Sequence, residues 1–230
     1  MKKLATMILL ISLLLMSIVP TAMANTISAG DYVYLTGYNS TGNGGIMTYT
    51  VSHNGTSFSY DTFCIQDNVY VYPKTWYPVA NVSTNVGYFA PNAPPAGAGP
   101  LKGAVDYLFA QFASGVYNVP FYTDPNAKAN QYDFQATLWS LQGSGPSHIP
   151  VAGTPWANDL AYYNSNYANL PDLSWGTEVI NIVSSMDSSG KFYGPDIQNQ
   201  LYHSVPEPAT MLLLGFGLIG LAGVGRKFKK

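Results

Sequence analysis

One cysteine, one arginine and few charges of either sign set the first limits on this chain of 230 residues. With Cys64 alone, no internal disulfide framework can form. An unpaired thiol in an oxidising compartment is exposed to oxidation and wrong pairing, so Cys64 is either a well-buried apolar residue or a thiol with a chemical task. The arginine, Arg226, lies near the C-terminus. Between residues 25 and 208 there are four lysines (Lys74, Lys102, Lys128, Lys191) against all twelve acidic side chains, a formal charge of −8. A surface so poor in cations excludes nucleic acid as a partner. Three scattered histidines and one cysteine show no metal-ligand spacing, and the acids lack the Asp-x-Asp-x-Asp-Gly pattern of a calcium loop. No cofactor is implied.

The two ends are what is plainly present. Lys2 and Lys3 precede an apolar run from Leu4 to Val19, then Pro20 and Ala22-Met23-Ala24. That is a signal peptide over 1–24, with export and cleavage before Asn25 expected. At the other end Val205-Pro206-Glu207-Pro208 leads into the uncharged stretch Ala209 to Gly225 and the basic Arg226-Lys227-Phe228-Lys229-Lys230. Seventeen helical residues span roughly 25 Å, a little under the ~30 Å of a bilayer's hydrocarbon core, and the basic tail should stay cytoplasmic. The arrangement over 205–230 resembles the PEP-CTERM sorting signal of Gram-negative bacteria. The resemblance implies an exosortase-type membrane peptidase as partner, a membrane-held intermediate, and delivery to the cell surface or extracellular matrix. A plain single-span anchor is the alternative.

Residues 25–204 then form the extracytoplasmic part, rich in Tyr, Asn, Ser and Gly, a composition suited to β-rich surfaces and unlike that of a disordered chain. Strands are expected at Asp31–Leu35, at Ile46–Ser52 and Thr56–Ile65 joined through Asn54-Gly55, and at Val69–Tyr72. Alternation in the third run puts Phe58, Tyr60, Thr62 and Cys64 on one face. Pro91 to Pro100 reads as a loop. Leu101, Ala104, Val105, Leu108, Phe109 and Phe112 recur at the spacing of a one-sided helix. A second helix is expected over Asn126–Leu141, stopped by Gly143, and a third begins at Thr154-Pro155 with Trp156, Leu160, Tyr163 and Tyr167 inward. Glu178–Val183 and Gln198–Val205 read as strands around a turn region at Asp187–Gly194. The order gives an α+β fold: a sheet or sandwich core carrying a helical insertion.

Within the second helix Tyr132, Gln135, Ala136 and Trp139 share a face, and an unpaired Gln135 amide there would cost about 1–3 kcal/mol, so Gln135 is either a core glutamine bonded to backbone or a residue with a chemical task. Phe63-Cys64 together with Phe134-Gln135-Ala136-Thr137-Leu138-Trp139 resembles the thioester domains of bacterial surface adhesins. Their pattern has a small residue just before the apolar-aromatic pair, where this chain has Thr137. The resemblance implies that Cys64 supplies the sulfur and Gln135 the acyl group of an internal thioester, with Phe63, Tyr132 and Trp139 as shields. It also implies a surface target bearing an amine or hydroxyl, and a covalent adhesin that acts once, not a turnover enzyme. Asp67 and Asp133, each close to one motif, are candidate proton carriers or, alternatively, solvated surface carboxylates. Two other readings stand beside it: a structural or matrix protein with an inert buried cysteine, and a cysteine hydrolase pairing Cys64 with His53, His148 or His203.

Overall fold

The computed structural model describes residues 26–38, 44–67, 71–87, 97–170, 173–186 and 192–203. The signal peptide expected over 1–24 and the sorting segment expected over 205–230 lie outside them. No helix among the described residues is long and apolar enough to cross a membrane.

Alternating sequence makes the sheet. Strands β1 (Tyr32–Tyr38), β2 (Met47–His53) and β3 (Thr56–Thr62) pair antiparallel in chain order. The two-residue connection Asn54-Gly55 has φ of 47° and 79°, the left-handed pair that matches the twist of a tight hairpin. Strand β4 (Trp76–Ser83) pairs with the other edge of β1 and then with β7 (Thr177–Met186). On its far edge β7 meets β8 (Phe192–Asp196) and β9 (Gln200–His203). Two short strands, β5 (Asn85–Val86) and β6 (Gly99–Pro100), form a separate ladder.

The sheet, antiparallel throughout, curls until its ends meet. Phe63-Cys64-Ile65, running on from β3, lies beside β9: the Ile65 N–H donates to Asn199 O (3.0 Å) and the Leu201 N–H to Phe63 O (3.1 Å). Cys64 itself forms an antiparallel bridge with Gln200. The seam that closes the sheet therefore runs through the lone cysteine.

Between β6 and β7 sits the helical insertion: α1 (Gly103–Ala113), a π-helical turn (Val119–Thr123), α2 (Ala127–Gln142) and α3 (Pro155–Asn166). Gly143, in the left-handed conformation, caps α2. Thr154 Oγ1 accepts from the Ala157 N–H, capping α3 with Pro155 in the first turn. Side-chain alternation divides the apolar interior. Val33, Tyr49, Val51, Cys64, Val79, Ile180 and Tyr202 fill the inside of the curl. Phe63, Ile65, Val179 and Leu201 face outward to the helices. There Phe63 meets Phe134 at 4.9 Å and Phe112 at 5.0 Å between ring centroids.

Three expectations need correction. Gly99–Pro100, at the end of the loop expected over Pro91–Pro100, form β6 because they pair with Asn85–Val86. Val71 and Tyr72 are not strand, whereas Trp76–Ser83 is; Val69 and Tyr70 lie outside the described residues. The expected turn region at Asp187–Gly194 runs into β8 from Phe192 on. Phe63→Ala would remove the ring shared by both sides of the helix–sheet interface, and a loss of about 3–5 kcal/mol is expected. Urea unfolding followed by tryptophan fluorescence measures it as a lowered midpoint with an unchanged slope.

Candidate functional site

The one-sided pattern of α2 brings two stripes to two places. Phe134 and Leu138 enter the aromatic core against the sheet. The neighbouring positions, Gln135 and Trp139, one helical turn apart, come down on the seam. There the Cys64 thiol donates to Gln135 Oε1 at 3.3 Å, and Gln135 Nε2 donates to Cys64 O at 2.6 Å. Cys64 is 1% exposed and Gln135 is fully buried. Seventy-one residues apart in sequence, the two side chains meet.

Burial pushes the Cys64 thiol far above its ordinary pKa, and the negative charge of Asp67 pushes the same way; the Trp139 and Gln198 side chains partly offset the rise. The Trp139 indole N–H is buried and makes no hydrogen bond of regular geometry. At neutral pH the sulfur is therefore a protonated, weak nucleophile. Surrounding it on the β9 side is a carboxamide network. Gln198 Nε2 donates to Gln66 O (2.6 Å), the Asn199 N–H to Gln66 Oε1 (3.0 Å), and Gln200 Nε2 to Gln198 O (2.8 Å).

The expected shields divide. Trp139 packs against the core that holds Cys64. Phe63 faces the other way, because successive strand residues alternate sides, and its ring belongs to the helix–sheet core. Tyr132 is 45% exposed: three residues before Gln135, it lies at the solvent edge of the helical face and does not enclose the pair. Gly44 was not anticipated. A Cβ on it would lie 2.5 Å from Gln135 Cγ and 3.0 Å from Trp139 Cη2, so its backbone rests directly on both side chains. In the sequence Gly44 stands out only as one glycine of the run Asn39-Ser40-Thr41-Gly42-Asn43-Gly44-Gly45, of which 39–43 lie outside the described residues.

Asp133 is not available as a proton carrier. Its carboxylate accepts from Trp156 Nε1 (2.6 Å) and from the Val151 N–H (3.1 and 3.3 Å), and pairs with His148 Nε2 (2.7 Å). It ties α2 to α3 and to the loop between them. Asp67 stays near the pair: a Cβ on Gly145 would be 3.1 Å from Asp67 Oδ2 and 3.0 Å from Trp139 Cβ. The histidines are engaged elsewhere or stand apart. His53 Nδ1 meets the Asp31 carboxylate at 2.8 Å, His148 meets Asp133, and His203 borders Gly176. None is a hydrogen-bond partner of Cys64, so the hydrolase reading loses its base.

The functional class comes from the other end of the chain. Residues 204–227 match the family model of the PEP-CTERM protein-sorting motif. The motif implies an exported protein, sorted to the membrane or cell surface and processed by an exosortase. No curated protein and no solved structure matches this chain, and none of the comparisons supports the thioester-domain resemblance.

Two measurements on the protein test the site's electrostatics. Where the thiol is free, its alkylation in the native state should be slow at pH 7. It should keep climbing with pH past the ordinary thiol value of about 8.5, because burial raises the pKa. Asp133→Ala should cost about 1–3 kcal/mol for each buried donor it strands, read as a lower urea midpoint.

Proposed function

We propose that this exported protein is a covalent surface adhesin in which Cys64 and Gln135 condense to an internal thioester. The observation that carries the reading is the contact itself: a buried thiol 3.3 Å from the carboxamide oxygen of a buried glutamine. The second hydrogen bond, from Gln135 Nε2 to Cys64 O, fixes the carboxamide's orientation. Such alignment is what an amide requires of a neighbouring nucleophile, since holding reactants together replaces much of the barrier otherwise met in solution.

In forming the bond, the Cys64 sulfur adds to the Gln135 side-chain carbon, the carbon–nitrogen bond breaks, and ammonia leaves with the thiol proton. The product is an activated acyl group kept from water by burial. A primary amine on a target then adds to the same carbon, the carbon–sulfur bond breaks, and the amine proton passes to the departing sulfur. Target and protein end joined by an amide, with the Cys64 thiol restored. One such event consumes the group, so the protein acts as a single-use linker.

A second reading is favoured by the raised pKa of the thiol and by the hydrogen bond that each Gln135 amide atom makes to Cys64: the pair is a structural latch across the seam. Intact mass distinguishes the two. The thioester reading expects the purified protein lighter by one ammonia and able to take up methylamine, with Cys64→Ala and Gln135→Ala each folded at full mass and unlabelled. Full mass in the wild type, with one thiol alkylated after unfolding, discards the thioester.

A further inference from the structure

The segment Gly44–Ile46 lies along α2 over the buried pair. Gly44 has φ +95°, a backbone state that glycine adopts readily and other residues rarely. A side chain there would strike Gln135 Cγ at 2.5 Å and Trp139 Cη2 at 3.0 Å. One helical turn before Gln135, Gln131 Oε1 accepts from the Ile46 N–H at 3.4 Å, while Gln131 Nε2 donates to Phe121 O at 2.7 Å. The segment thus follows positions 139, 135 and 131 of α2. The Ile46 side chain is anchored in the helix–sheet core. By contrast, the Gly44 end has no side chain to anchor it and rests on the Gln135 stem and the Trp139 ring.

We propose that Gly44–Ile46 is a hinged strap that controls access to Cys64 and Gln135, with the buried Ile46 side chain as its fixed point and Gly44 as the end that lifts, releasing the Ile46 N–H from Gln131 Oε1. Packing of the Gly44 backbone on the Gln135 stem and the Trp139 ring excludes water while the strap is down. A nucleophile reaches Gln135 only when Gly44 rises, which needs no rupture of the sheet ladders. The chemistry so regulated rests on the thioester reading, whereas the gating concerns only access to two buried side chains.

Intact mass of the wild-type protein first shows which form is present, and the rate measured is chosen to match. For protein lacking one ammonia, it is aminolysis by methylamine; for protein of full mass, it is native-state alkylation of Cys64 by iodoacetamide. Full mass would discard the thioester and leave the strap testable. Gly44→Ala, which cannot lie flat on Gln135, should raise either rate by about tenfold. An unchanged rate in the folded variant overturns the strap. Hydrogen exchange on the wild type decides the matter if Gly44→Ala does not fold. The protection of Cys64 from reagent should then follow that of the Ile46 amide. Protection equal to that of Val51, in the middle of the sheet, would mean that Cys64 is reached only by global unfolding, and would overturn the proposal.

Discussion

The closure of the sheet on itself is the constraint from which the rest follows. A curled antiparallel sheet leaves two edges that must be covered or joined, and here the stretch after β3 joins β9 through the backbone of Phe63, Ile65, Asn199 and Leu201. Because strand residues alternate, that seam sends Phe63 and Ile65 outward to the helices and turns Cys64 inward. The position of the thiol is thus a by-product of how the sheet shuts. Helix α2 covers the seam, so the residue of α2 that faces Cys64 is determined by the same geometry.

Packing on the helical side holds that geometry in place. Phe63 and Phe134 stand one residue before Cys64 and Gln135, and their rings meet edge-on. This aromatic contact sets the register between seam and helix to which the polar pair conforms. Asp133 performs the complementary task on the far side of α2. Its buried carboxylate collects Trp156, Val151 and His148, so α3 and the preceding loop cannot slide along α2 without stranding donors. The helix that presents Gln135 is therefore gripped from both sides, as a preorganised site requires.

Much of this was legible in the residues, for identifiable reasons. The three helices carried one-sided apolar spacing with Gly143 and Thr154-Pro155 as end signals, and the β2–β3 hairpin carried Asn54-Gly55. Strand β4 was hidden because Pro78 argues against a paired interior strand. The structure resolves the conflict by stagger: β4 pairs with β1 over Trp76–Pro78 and with β7 from Val79 onward. Val79 turns its N–H and C=O toward the β1 side, so the missing N–H of Pro78 falls on the opposite edge, where pairing with β7 has not yet begun. Strand β8 was hidden by Gly194-Pro195, residues tolerated at the margin of a sheet, and β8 pairs with β7 alone. At the site, the proximity of Cys64 and Gln135 was foreseen through a family resemblance. The strap was not, because a glycine's contacts leave no mark in sequence pattern. Asp133 was misjudged because its partners come from loop positions 148 and 151 and from Trp156, which periodicity does not connect.

The order of elements along the chain has a mechanical outcome. His203 ends β9, and the sorting motif begins at the next residue. Any pull transmitted from an attachment at that end enters the fold through β9, which is bonded to β7 on one side and to the Cys64 segment on the other. Tension would then be felt first at the strand that buttresses the thiol, and a covalent link from Cys64 to α2 would divert part of that tension away from hydrogen bonds and into the helix.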